Sequence, residues 1–271
     1  MANHRVCFVT GASSGLGRGL AKALADDGYA VGLAARRRER LEEVAGEIRS
    51  GGGTAGVFPC DVMDRGSVRD AVGRCRTELA PPDLLVANAG VSINTRVEAF
   101  DAAEVERVLR VNFLGAVYAA ESVLADMRER GRGHIVAVSS IAGFGGLPMS
   151  AAYSASKAAM TNFFESLRID LRRDGVAVTV VTPGFVRTPM TAHNRHPMPF
   201  LMELEPAVDR ILMAIRRKKK SLAFPWPLAA VAWGARFLPR TAYDWVASLV
   251  PRGKSPEAGG PPGQGTESGS G

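Results

Sequence analysis

Six short apolar runs, each leading into a turn and then a helical pattern, limit what this chain can fold into. They are Val6-Cys7-Phe8-Val9, Ala30–Ala35, Thr54–Pro59, Asp83–Ala87, His134–Val138 and Val176–Val181. Between them lie stretches of helical character: from the first turn to Asp27, over 37–50, from about Ser67 to Leu79, over Ala102–Arg130, and from near Ser150 to about Arg173. The 205–219 stretch predicts one more helix, and Ser221–Pro225 a last edge strand. Alternation of this kind packs as an α/β fold, a doubly wound parallel sheet of about seven strands with helices on both faces. In such sheets ligands gather outside the carboxyl ends of the strands. Those ends are where the chemistry-bearing residues should be sought.

The first strand runs into Thr10-Gly11-Ala12-Ser13-Ser14-Gly15-Leu16-Gly17 and then a helix. A glycine-rich turn opening a helix offers backbone N–H groups and the positive end of the helix dipole to a pyrophosphate. The spacing is GxxxGxG, and a βα turn without a ligand is the plainer alternative. The second strand is followed at once by Arg36-Arg37-Arg38. A dinucleotide's adenosine ribose lies at this strand end, where a carboxylate would accept a 2′-hydroxyl and guanidinium groups suit a 2′-phosphate. Arg36 and Arg37 are therefore assigned to phosphate, and Arg38 to a surface pair with Glu42. NADP(H) is the favoured cofactor, NAD the disfavoured one.

The fifth strand ends in Ser139-Ser140, and after a turn rich in glycine a helix carries Tyr153 and Lys157. Four residues apart, these two share a helix face. A phenol near its reference pKa of about 10 is a poor acid or base at neutral pH. An ammonium beside it favours the phenolate, and a serine hydroxyl can hold a carbonyl oxygen in place. The set suits proton transfer at an oxygen while hydride moves at its carbon. Asn112 falls within the long helical pattern, where it predicts either a helix–helix hydrogen bond or a functional distortion of the backbone.

Length and composition set the remaining bounds. The 271 residues fit one large domain over 1–251, followed by a Gly/Pro/Ser-rich tail, 252–271, expected to be disordered. Apolar content of 46% with 23% charge belongs to a soluble globular protein. The net charge of +7 has one cluster, Arg216–Lys220, and no basic stripe studded with rings, which argues against a nucleic-acid binder. Three cysteines without CxxC spacing fit reduced thiols in the cytoplasm. The chain enters its first strand by Arg5, so no signal peptide is expected.

Taken together, TGASSGLG (10–17), DV (61–62), NAG (88–90), Asn112, Ser140, YSASK (153–157) and PGFVRT (183–188) make the chain resemble the short-chain dehydrogenase/reductase superfamily over roughly residues 5–220. The resemblance implies that Tyr153 is the catalytic acid/base and that Lys157 lowers its pKa and binds the nicotinamide ribose. It makes Ser140, rather than its neighbour Ser139, the residue that positions the substrate oxygen, and Asn112 the support of a proton-relay water. Asp61, with Val62, would meet the adenine. Asn88, Ala89 and Gly90 would line the cofactor cleft, Pro183 and Gly184 would also bind the cofactor, and Val186 and Thr188 would hold its carboxamide end. The apolar, proline-interrupted stretch 189–204 would be a substrate lid. Phe144, Leu147, Met149 and Phe185 would add to a pocket suited to a small hydrophobic carbonyl or alcohol. His193 and His196 in that loop have no third ligand, so no metal is expected. A homodimer or homotetramer is expected. A non-catalytic NADP(H)-binding regulatory protein of the same fold is the alternative.

The apolar extension 221–250 holds all three tryptophans, Trp226, Trp233 and Trp245. Its longest apolar stretch is too short to span a bilayer. It fits a cover over the pocket or a subunit contact, and equally a peripheral membrane contact through 216–250 beside the basic cluster.

Overall fold

The computed structural model describes residues 5–192, 194 and 197–248. His193 and His196, and the tail 252–271, lie outside the described residues. Strands β1 (Arg5–Thr10), β2 (Tyr29–Ala35), β3 (Thr54–Pro59), β4 (Leu84–Ala87), β5 (Gly133–Val138), β6 (Val176–Pro183) and β7 (Ser221–Phe224) form one sheet. Its order is β3-β2-β1-β4-β5-β6-β7, and every pairing is parallel. Because the chain first winds one way from β1 and then restarts at β4, the strand order reverses between those two. That reversal opens a crevice at the carboxyl ends.

Alternation along each strand divides the core into two layers. Val6 and Phe8 of β1, with Ile135 and Ala137 of β5, pack towards α3 (Arg65–Glu78), α5 (Gly115–Glu129) and α6 (Ala151–Asp170). Cys7 and Val9, with Val136 and Val138, face α1 (Gly15–Asp26), α2 (Arg38–Ser50) and α7 (Leu204–Arg216) on the other side. Period-two burial on both faces is what a sheet covered on two sides requires.

Several boundaries differ from the sequence expectations, each for a local reason. The Asp64 carboxylate accepts from the Gly66 N–H at 2.8 Å and starts α3 at Arg65 rather than Ser67. The long pattern 102–130 is not one regular helix: α4 (Ala102–Leu109) passes into α5 through a wide, π-type turn over Arg110–Leu114. The helix expected over 205–219 stops at Arg216, because Lys218 takes a left-handed φ of +45°. Beyond β7 the chain forms α8 (Trp226–Gly234), one 3-10 turn, and α9 (Arg240–Ser248). These two helices fold back on the same chain. Tyr243 donates its hydroxyl to the Gly146 carbonyl at 2.6 Å, and Leu228 lies where a side chain at Gly184 would stand, 3.0 Å away.

Candidate active site

At the end of β1 the backbone turns through two left-handed glycines, Gly11 (φ +69°) and Gly15 (φ +54°). A Cβ on Gly17 would stand 2.2 Å from the Gly11 carbonyl oxygen, so only glycine lets α1 start this close to the turn. Ser14 is the N-cap residue, yet its side chain makes no capping bond. The free hydroxyl and the unpaired N–H groups of the first turn leave a cradle for an anion. Thr10 and Asn88 hold that cradle. The Thr10 hydroxyl oxygen accepts from the N–H of Asn88 (3.0 Å) and of Ala89 (3.1 Å), and the Asn88 amide donates to the Thr10 carbonyl at 3.0 Å. Asn88 is thereby committed to the turn.

Ala35, Arg36 and Arg37 at the end of β2 and Cys60, Asp61 and Val62 after β3 close the cleft at one extreme. Arg36 and Arg37 are exposed, and their guanidinium groups have no hydrogen bond or ion pair among the described residues. Arg38 reaches Glu42 at 3.6 Å, as its spacing predicts. One Asp61 carboxylate oxygen accepts from the Met63 N–H at 3.0 Å. The donor set fits a dinucleotide bearing an extra phosphate: glycine cradle, free serine hydroxyl and two unpaired guanidinium groups.

At the other extreme stand the residues of the proton chemistry. Ser139 points into the fold: its hydroxyl donates to the Lys157 carbonyl at 2.9 Å and meets that of Thr161 at 2.8 Å. The Ser140 oxygen accepts from the Ala142 N–H at 3.2 Å, its proton reaches towards the Pro183 carbonyl at 3.4 Å, and as a donor its hydroxyl favours the phenolate form of Tyr153. Burial raises the phenol above its ordinary value, and the Ser140 bond offsets part of that. Lys157 is buried, its ammonium donates to the Val138 carbonyl at 2.8 Å, and it sits 5.8 Å from the centre of the Tyr153 ring. Desolvation brings the ammonium down to about 8. The resemblance gives Lys157 the task of lowering the phenol's pKa, and in this arrangement burial acts on Tyr153 in the opposite direction. The ammonium is tied to a backbone carbonyl, and burial governs Tyr153.

Asn112 answers both sequence readings at once. It sits in the π-type turn, and its side chain is saturated. Its carbonyl oxygen accepts from the Val91 N–H at 2.7 Å, while its amide donates to the Val91 carbonyl at 2.9 Å and to the Ser156 hydroxyl at 3.0 Å. Ser156 in turn donates to the Tyr153 carbonyl at 2.7 Å. Asn112 thus couples the loop after β4 to the helix that carries Tyr153.

A cleft of about 300 Å³ joins these parts. It is lined by Gly11, Ser13, Ser14, Gly15, Leu16, Arg36, Arg37, Asp61, Val62, Asn88, Ala89, Gly90, Ser140, Tyr153, Lys157, Pro183, Gly184, Val186 and Thr188. Gly17 and Asn112 stand behind its wall, where they shape the turn and hold α6. Phe144, Leu147, Met149 and Phe185 are not among the lining residues; Pro189 and Met190 of the expected lid are. Sequence reasoning missed Arg107, an exposed arginine of α4 on the cleft wall, and did not single out Thr191 within the expected lid. The Thr191 hydroxyl donates to the Val186 carbonyl at 2.7 Å and accepts from the Thr188 N–H at 3.0 Å. Nothing in the spacing of Thr191 marks it. The loop is closed below by a Val186–Met202 bridge and an Arg187–Glu203 ion pair at 2.9 Å.

Known proteins share this arrangement of strands and sequence. The family model for short chain dehydrogenases matches residues 5–199. An uncharacterized oxidoreductase of Myxococcus xanthus is 43% identical over 245 residues, covering 90% of this chain and 97% of its own. A fatty acyl-CoA reductase of Acinetobacter baylyi is 36% identical over 222 residues, 81% of this chain and 75% of its own. Among solved structures, a single-residue variant of the actinorhodin polyketide ketoreductase with NADPH superposes with a TM-score of 0.78 at 27% identity, covering 84% of this chain and 98% of that one.

Proposed function

The chain belongs to the short chain dehydrogenase family of oxidoreductases, and on that premise we propose that it interconverts a carbonyl and a secondary alcohol on a hydrophobic small molecule with NADP(H). The observation that carries this reading is the meeting of Ser140, Tyr153 and Lys157 in the cleft whose far end holds the glycine cradle and two unpartnered arginines. When bound, the nicotinamide supplies hydride to the carbonyl carbon or takes it from the alcohol carbon. The Tyr153 phenol, protonated at neutral pH as phenols are, gives its proton to the carbonyl oxygen in reduction. Ser140 donates a hydrogen bond to that oxygen and fixes its distance from the phenol. Lys157 remains mostly an ammonium at neutral pH and stabilises the phenolate left behind.

The preference for NADP(H) rests on Arg36 and Arg37, whose charges have no protein partner to give up. The ketoreductase similar to this chain is described with NADPH. An apolar substrate is supported by Val91, Val138, Pro189 and Met190 on the cleft wall and by the likeness to a fatty acyl-CoA reductase. A panel of long-chain aldehydes, ketones and alcohols, read by nicotinamide absorbance, tests the reading. Turnover is expected with NADPH or NADP⁺, and Tyr153→Phe should lower it by orders of magnitude while cofactor affinity changes little. Near-normal turnover in a folded Tyr153→Phe protein would assign the proton to another group.

A further inference from the structure

Helix α8 presents an unusual surface. Its nine residues, Trp226 to Gly234, carry no charge and no hydrogen-bonding side chain apart from the indole N–H groups. One face, through Leu228 and the buried Ala229, packs on the chain's own β7 and the turn after Ser140. The opposite face holds Trp226, Ala230, Trp233 and, one turn on, Phe237, the i, i+4, i+7, i+11 stripe that in a surface helix is normally polar. Here it is apolar and open: Trp226 is 76% exposed, Trp233 56% and Phe237 72%. Trp245 on α9, 66% exposed, adds a fourth ring. Trp233 and Phe237 meet edge to face at 4.9 Å and so present one joined apolar body.

We propose that this face, Trp226–Trp233–Phe237 with Trp245, docks the protein on an anionic lipid surface. Three observations favour lipid over a second copy of the chain. Around the rings, over 226–248, Arg236 and Arg240 outnumber a single acid, Asp244, so a twofold pairing would bring like charges near like. The four rings expose roughly 500 Å² by ordinary ring areas, short of the about 800 Å² per partner of a stable protein pair. Tryptophan and phenylalanine bordered by arginine are the residues that settle at a bilayer's interface. Nine residues of helix reach only about 13 Å, so α8 lies in the interface and does not cross it.

The structure also revises which cations take part. Five residues, the four of β7 and Pro225, separate the basic run Arg216–Lys220 from the start of α8, the strand alone spanning about 13 Å, and Arg216 is paired with Asp27 at 2.7 Å. Arg236 and Arg240, exposed and set among the rings, are the cations that meet the lipid first.

All three tryptophans of the chain lie on α8 and α9, so intrinsic tryptophan emission reports from this segment alone. The test mixes the full chain with phosphatidylcholine vesicles containing a quarter phosphatidylglycerol, and with pure phosphatidylcholine, at low and high salt. Blue-shifted emission and co-sedimentation are expected with the anionic vesicles at low salt, weakening in pure phosphatidylcholine. The double variant Trp233→Ser/Phe237→Ser changes exposed positions only and keeps two reporters. Its partitioning should fall at least tenfold, with its circular dichroism and elution volume unchanged. Absence of binding at low salt overturns the proposal. So does a variant that binds vesicles as well as the parent, or one that splits a larger assembly while neither protein binds lipid, which would make the face a subunit contact.

Discussion

Arg36 and Arg37 stand at the end of β2 without a carboxylate, whereas Arg38 and Arg40 are tied to Glu42 and Glu43. Charge-assisted bonds to a phosphate are worth about 1.5–3 kcal/mol each, and about 1.4 kcal/mol is a decade of affinity. Arg36→Ala/Arg37→Ala should therefore weaken NADPH binding by one or more decades and leave NADH nearly unchanged; calorimetric titration of both cofactors checks it. Tyr153 and Lys157 make a prediction about pH. Reduction needs the phenol protonated and the ammonium in place, so its kcat/KM should be level near neutrality and fall as Lys157, at about 8, loses its proton. Oxidation needs the phenolate, which burial disfavours, so its rate should rise with pH over the same range. Rate profiles in both directions on one substrate pair would decide. Limbs of the same sign would implicate a different group.

The elements around the cleft are held by side chains whose hydrogen bonds run within the protein itself. The wide turn at Arg110–Leu114 places Asn112 where its amide can bind Val91 and Ser156 together, so a regular helix from 102 to 130 would set that side chain elsewhere. The loop after β6 depends on Thr191 in the same way. Thr191→Val keeps its shape but removes the donor to Val186 and the acceptor for Thr188. Each such bond is worth about 1 kcal/mol net. Cofactor affinity should fall by several-fold to about a decade, with the thermal midpoint nearly unchanged, because the loss is confined to a loop. Titration beside a melting curve separates the two. A large fall in the midpoint would show that the loop belongs to the cooperative core.

For the molecule as a whole, the end of the sheet away from the cleft sets the acid limit. Buried His134 of β5 bonds the Thr179 hydroxyl of β6 at 2.8 Å, and Thr179 gives its own proton to the Lys219 carbonyl before β7. The imidazole therefore donates from Nε2, joining three strands while neutral. Burial first, and the Lys218 charge second, bring it down to about 4 from an ordinary value of 6.5. The folded pKa lies below the unfolded one, so the stability is whole above about 6.5 and is lost as pH falls towards 4. Between pH 7 and 5 the loss should be about 2 kcal/mol, from a pKa gap worth 1.36 kcal/mol per unit. Urea unfolding at the two pH values measures it, and His134→Gln should flatten the difference. An equal slope in that variant would place the acid sensitivity elsewhere.

The sequence by itself determined the parallel sheet, the glycine turn, the arginines that follow β2, and the spacing of Ser140, Tyr153 and Lys157. Each of these is set by neighbours within one element: strand burial, turn conformation, the helix repeat of Tyr153 and Lys157. The DV, NAG and PGFVRT segments were legible only as parts of a resemblance, and the fold shows why they recur at strand ends. Tertiary structure alone decided the rest. It turned Ser139 inward, saturated Asn112, brought Arg107 and Thr191 to the cleft, and left Phe144, Leu147, Met149 and Phe185 out of its wall. It also set the basic run and the tryptophans at opposite ends of β7, although they are close in the chain. Spacing tells which side of its own helix or strand a residue occupies. What that side then meets depends on how distant elements pack, and no local pattern in the chain records it.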